Sequence, residues 1–346
     1  MAYSSILKPS ALMNTKLYTG NGGTLNITGV GFQPDWTWTK RRDNTGNHSL
    51  YDAVRGVTKR IESDTADAEQ TLATGLTAFG TDGFTLGSGG DSNGNNETYV
   101  SWNWKAGTAV SGSTTGSGTA KTYTGSVNTT SGFSIIKYTG NGTAGHTIPH
   151  HLGAAPQMII VKALSTNDDW MVGHTAAGFN QFMILNSTAR DATGTQFNST
   201  VPTSSVFSIG SNNNMNQNNN SFVAYSFTNI KGFSKFGGYT GNGNADGTFI
   251  YTGFKPAFVM VKLVSATENW YIFDNKRSDF NLSDDALKAN TNSAEIANWG
   301  VGFDFLSNGF KARATDGAIN AGEDYLYMAF AEEPLVASNF NVATAR

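Results

Sequence analysis

Tyr-Thr-Gly-Asn-Gly stands three times in the chain, at Tyr18–Gly22, Tyr138–Gly142 and Tyr239–Gly243. Gly and Asn tolerate positive φ, so the segment reads as a tight turn that sends the chain back antiparallel. It lacks the Lys-Ser/Thr and the following helix of a phosphate loop. The same landmarks recur outward from it. Pro34, Pro156 and Pro256 each open a strand-like run, a Lys follows six residues later (Lys40, Lys162, Lys262), and eight residues beyond stand His48, Trp170 and Trp270. Phe84, Phe207 and Phe310 each lie fifteen residues before the aromatic that opens a last strand, at Tyr99, Phe222 and Tyr325. Fixed spacings between loops of variable length imply one fold used three times. The expected division is an N-terminal arm (1–17), repeats at 18–106, 138–230 and 231–330, a Gly/Ser/Thr-rich linker with a lead-in strand (107–137), and a C-terminal tail (331–346).

The closing strands place Val100, Trp102 and Trp104, then Val223, Tyr225 and Phe227, then Leu326, Met328 and Phe330 on one pleat face with period two. The strand after each Pro differs among copies. In the first, Trp36 and Trp38 alternate with Thr37 and Thr39, whereas Met158–Val161 and Phe258–Val261 are apolar on both faces and require cover on both sides from a loop, a sister repeat or another subunit. Charged residues are 14%, against a usual level of about 25%, while aromatics reach 12% and Gly 40 residues. The fold class expected is all-β: three tandem antiparallel β-sandwich domains of jelly-roll or lectin-like kind.

A net charge of -3 argues against a nucleic-acid surface, which needs a clustered basic field. Lys40, Arg41 and Arg42 read as a solvated strand end. No stretch approaches the apolar length of a membrane span, the start lacks a signal-peptide pattern, and the absence of Cys removes disulfides and thiolate metal sites.

Candidate sites divide between chemistry and structure. Asp52 and Arg55 recur as Asp274 and Arg277, with His174 and Ala177 in the second copy; lacking a partner acid or activated nucleophile, they read as a loop-ordering ion pair. No catalytic residue and no cofactor are expected. His146, His150 and His151 lack nearby Cys or carboxylate, and Asp91–Glu97 has a calcium-loop composition without the preceding helix, so no metal is expected. Trp170 and Trp270 follow polar runs. They read as strand-edge residues partly buried in their own sandwich or, in the functional alternative, as platforms for sugar rings whose hydroxyls Asn167, Asp168, Asp169, Glu268 and Asn269 would bond.

The motifs Lys16–Gly22, Tyr51–Gly56, Gly83–Gly87 and Tyr99–Trp104 resemble a family of repeat domains in virion proteins of tailed bacteriophages, especially phages of aquatic bacteria, of tail-fibre-like kind. The resemblance spans essentially the whole chain and implies a virion location after synthesis in the host cytoplasm, with other virion proteins as partners. It brings no active site. Three functions follow as expectations: a tail-fibre adhesin engaging a host-surface glycan, a capsid-decorating or tail structural protein with protein contacts only, and, ranked last, a glycan depolymerase. A homo-oligomer is expected, a trimer favoured, with the arm or the 107–122 segment crossing between subunits.

Overall fold

A computed structural model describes residues 8–333, and the chain in it is all-β with antiparallel sheets. Residues 1–7 of the expected arm and 334–346 of the expected tail lie outside the described residues.

Each sequence repeat forms one large sheet with the same strand order. In the first, Met13–Thr19 pairs with the closing strand Thr98–Trp104, which pairs with the post-proline strand Trp36–Arg41, which pairs with Ser49–Asp52. The second orders Phe133–Thr139, Ser221–Phe227, Met158–Ala163 and Met171–His174 in this way, and the third Ser234–Thr240, Asp324–Ala331, Pro256–Leu263 and Trp270–Asp274. A three-stranded sheet accompanies each, Leu25–Ile27, Gly83–Leu86 and Leu76–Gly80 in the first repeat. The linker folds on its own chain: Thr108–Ser113 and Thr122–Asn128 form a hairpin that extends the second large sheet beside Phe133–Thr139.

The turn motif is explained by a buried asparagine. Tyr18, Tyr138 and Tyr239 donate their hydroxyls to the carbonyls of Ser92, Met215 and Ile319. The next residue is Asn93, Asn216 or Asn320, fully buried, whose Oδ1 accepts the backbone N–H of the motif's own Asn at 2.8 to 3.0 Å. A Cβ on the first motif glycine would strike backbone oxygens (Gly94 for Gly20, Gln217 for Gly140, Ala321 for Gly241), and the second glycine has φ of +63° to +72°. Close approach and positive φ both demand glycine there.

Apolar residues divide by strand face. One face of each large sheet meets its three-stranded partner in a separate cluster; the other face points to a single centre shared by all three repeats. Trp36, Trp38, Trp102 and Trp104 enter this centre from the first repeat, Met158, Ile160 and Tyr225 from the second, Phe258, Met260 and Phe330 from the third. This covers the strands that are apolar on both faces. Ile159 and Val161 face the second repeat's outer cluster and Val259 and Val261 the third's, while their neighbours face the centre. Of the three sources of cover, sister repeats supply it. The repeats are not closed separately: the largest apolar cluster belongs to all of them.

Candidate functional site

The Trp and Asp–Arg residues singled out for chemistry, and the recurring lysines, converge where one repeat meets the next. Lys40, Lys162 and Lys262 follow the central-facing positions of their strands and are fully buried. Each ammonium donates to the carbonyl of the next residue in its own strand (Arg41, Ala163, Leu263) and to a carbonyl of another repeat: Lys40 to Asn292 at 3.3 Å, Lys162 to Ala66 at 3.1 Å, Lys262 to Thr188 at 3.4 Å. The first repeat thus reaches the third, the second the first, and the third the second. Burial lowers the pKa of all three amines to about 8. Lys40 is therefore not part of a solvated strand end. Arg42 pairs instead with Glu295 of the third repeat at 2.7 Å, and Arg41 with Asp43 and Glu97.

The column His48, Trp170, Trp270 closes the same ring. Trp170 Nε1 donates to Glu62 O of the first repeat at 2.8 Å, and Trp270 Nε1 to Ile184 O of the second at 3.0 Å. His48 Nδ1 accepts from Trp38 Nε1 at 2.7 Å, so its Nε2–H donates to Lys288 O of the third repeat at 3.0 Å. This needs a neutral ring, and burial, with Lys40 nearby, pulls its pKa down to about 3. Neither indole offers a face to a sugar, because both rings are at 0% exposure within the shared centre.

Their polar neighbours tie the joints as well. Asn167 Oδ1 accepts from Ala68 N of the first repeat at 2.9 Å, the Asp168 carbonyl accepts from Lys162, and Asp169 accepts from Asn186. The Glu268 backbone donates to Thr188 O of the second repeat, while its carboxylate accepts from Asn269 and Tyr271. The run of polar residues before each Trp is the rim of a joint.

The Asp–Arg pair also faces a sister. Asp52 takes Arg55 Nε at 2.5 Å and the Tyr225 hydroxyl of the second repeat at 2.6 Å; Asp274 takes Arg277 Nε at 2.6 Å and Trp102 Nε1 of the first repeat at 2.9 Å. The third closing strand carries Met328 at that position, which has no donor, and the second repeat opposite it has His174 and Ala177. Donor and acceptor vary together within one chain. His146, His150 and His151 separate, binding Ser117 O, Thr203 O and Tyr123 Oη, and the Asp91 and Glu97 carboxylates are held by Arg60 and Arg41. Among the described residues no cluster of His, Asp or Glu is suited to a metal ion.

One family's sequence profile, that of a domain of unknown function (DUF7483), matches residues 8–334. The chain belongs to this family. No curated protein and no solved structure matches it. The match covers all three repeats and the linker, so the family unit is the whole ring of joints and not one repeat.

Proposed function

We propose that this DUF7483 chain is a non-catalytic virion structural protein of a tailed bacteriophage, a tail-fibre or receptor-binding component, built as three tandem jelly-roll or lectin-like sandwiches locked into one block. The resemblance of its turn and closing-strand motifs supports the virion context. The observation that carries the structural role is the closed ring of joints: the Lys, Trp, His and Asp–Arg side chains with the most chemistry all hold one repeat to another. A block of that kind suits rigid presentation of outer loops. The burial of Trp170 and Trp270 favours a second reading, a capsid-decorating or tail structural protein that touches other virion proteins only. Heterologous contacts close here within one chain, so a homo-oligomer, trimeric or otherwise, would form through outer surfaces.

Locating the chain in intact particles by immunogold labelling, with a host-cell binding assay of the purified protein, tests both. Tail-tip labelling with host binding supports the first reading. Labelling on the head or tail tube without host binding supports the second, and absence from particles overturns both.

A further inference from the structure

The three joints are not filled alike. In the first repeat Arg55 sends Nη1 to Lys59 O at 2.8 Å and to Glu69 Oε2 at 3.2 Å; in the third, Arg277 reaches Glu295 Oε2 at 3.1 Å. The second repeat has Ala177 instead. Its counterpart of the two glutamates is Asp191, identified by a shared backbone bond: Glu69 donates to Leu164 O, Asp191 to Val264 O and Glu295 to Arg42 O, each across a joint at 2.9 to 3.0 Å. Gln181 corresponds to Lys59, since each lies two residues before the partner (Met183, Ile61) of the sister positions Val172 and Leu50. Of the receptors of the guanidinium, the outer carboxylate (Asp191) and the strand carbonyl position (Gln181) are therefore kept while the guanidinium is gone; in place of the pair's Asp stands His174, which bonds Tyr327 O instead.

A cleft of about 500 Å³ between the second and third repeats is lined by these same residues, Ala177, Gln181 and Asp191. Across it stands Gly238, where the sister strands carry Leu17 and Lys137. A Cβ on Gly238 would lie 3.0 Å from Ala176 Cβ and 3.1 Å from Tyr325 O, so glycine lets this strand approach Ala176 closely and adds no side chain to the cleft. Arg190 does not fill the place. Its Nε stands 3.6 Å from Asp191 and its side chain is 67% exposed.

We infer that this cleft receives a guanidinium group from another molecule, in the place that Arg55 and Arg277 occupy at the sister joints. A planar fork of N–H donors matches one carboxylate and adjacent carbonyls in a way that a point-like ammonium does not, and it is the more weakly hydrated cation. Asp324, also on the cleft wall, adds a second carboxylate.

Titration calorimetry of the full chain with agmatine, with Nα-acetyl-arginine methylamide and with putrescine tests this. Both guanidinium probes are expected to saturate one site, with putrescine at least about tenfold weaker. Asp191→Asn keeps the backbone bond to Val264 and is expected to weaken agmatine about tenfold, and Ala177→Arg to abolish binding by filling the slot from within. If Ala177→Arg fails to fold, Asp191→Asn alone carries the test. Acetyl-arginine methylamide binding as tightly as agmatine identifies a protein side chain as the source, and agmatine alone identifies a free small guanidine. No saturation by either guanidinium probe, putrescine binding as tight as agmatine, or unchanged affinity in Asp191→Asn overturns the inference. The chain is assayed by itself, so the outcome is independent of its place in a particle.

Discussion

The first and third repeats share one strand order but distribute their apolar residues differently. In the third, both faces of the large sheet are apolar, and the outer cluster holds sixteen buried apolar residues, among them Val259, Val261, Phe273, Phe303 and Phe310. The first repeat's outer cluster holds five: Ile27, Tyr51, Leu76, Phe84 and Leu86. Its large sheet turns Thr37, Thr39, Ser49, Ser101 and Asn103 to that side, where Thr37 Oγ1 donates to Asn103 Oδ1 and Asn103 Nδ2 to Ser101 Oγ. Buried hydrogen bonds add little net stability beside buried apolar area. The first repeat compensates at the centre, where its four tryptophans outweigh what either sister contributes in ring area. Its stability is borrowed from the joint more than from its own interior.

The largest effect that tests this contrast is at Trp36, whose ring centroid lies 4.5 Å from those of Trp104 and of Tyr225 in the second repeat. Trp36→Ala is expected to cost about 3–5 kcal/mol and to lower the whole chain in one denaturant transition, because the cavity opens in a core that all repeats share. Leu86→Ala, in the first repeat's small outer cluster, is expected near the low end of the range for such truncations, about 2 kcal/mol. Equal costs, or two separate transitions with Trp36→Ala moving only one, would falsify the shared-centre account.

Much of this was legible in the sequence, and the illegible part has a physical cause. The spacing of Pro, Lys, Phe and the closing aromatic located the post-proline and closing strands in the middle of each large sheet, because a fixed register needs fixed spacing. The first repeat's outer strand, Met13–Thr19, lies mostly in what reads as an arm, and it pairs with Thr98–Trp104. The doubly apolar strands announced a second layer of cover. Which molecule supplied it was not readable, since period-two patterning reports burial and not the identity of the neighbour. Trp170 and Trp270 were misleading for a related reason: polar neighbours signal solvent at a strand end, yet here they line a joint whose other half lies about a hundred residues away. Two signals pointed the right way. His48 shares their column, and a sugar platform would not tolerate that exchange while an N–H donor to a carbonyl does. A lysine recurring on the apolar face of three strands likewise marks a buried donor with a repeated acceptor. Asn93, Asn216 and Asn320 went unnoticed because the second sits among many other asparagines.

The lysines are common to all three joints, so they probe what the repeats share. Folding lowers each pKa to about 8 from the ordinary value near 10.5. Between those values the unfolded chain binds more protons than the folded one, and stability therefore rises with pH. The rise should end near pH 10, where tyrosines that burial holds neutral, Tyr138 and Tyr239 among them, begin to act in the opposite direction. Melting temperature is expected to climb from pH 8 toward 10, and Lys262→Met, whose ammonium makes the longest cross-repeat bond, to flatten part of the climb. A melting temperature that falls steadily over this range would show the amines to be paired or solvated.

The smallest effect separates the two kinds of joint. Trp102, Tyr225 and Met328 occupy one position of the closing strand, and the first two donate to a buried Asp while the third cannot. Tyr225→Phe removes a 2.6 Å bond and leaves Asp52 Oδ2 with the Arg55 guanidinium as its remaining donor. Because that oxygen stays buried, the expected cost is about 1–3 kcal/mol. Met328→Leu, of similar volume and within the shared centre, is expected to cost less than about 1.5 kcal/mol. Urea unfolding of both variants beside wild type makes the measurement, and the order of the two costs decides it. A Met328→Leu cost above that of Tyr225→Phe would mean that shape at this position, and not the donor to Asp52, holds the repeats together. The pairing of donor with acid along the chain would then be coincidence, and the vacancy left by Ala177 would lose its meaning as the place of a missing partner.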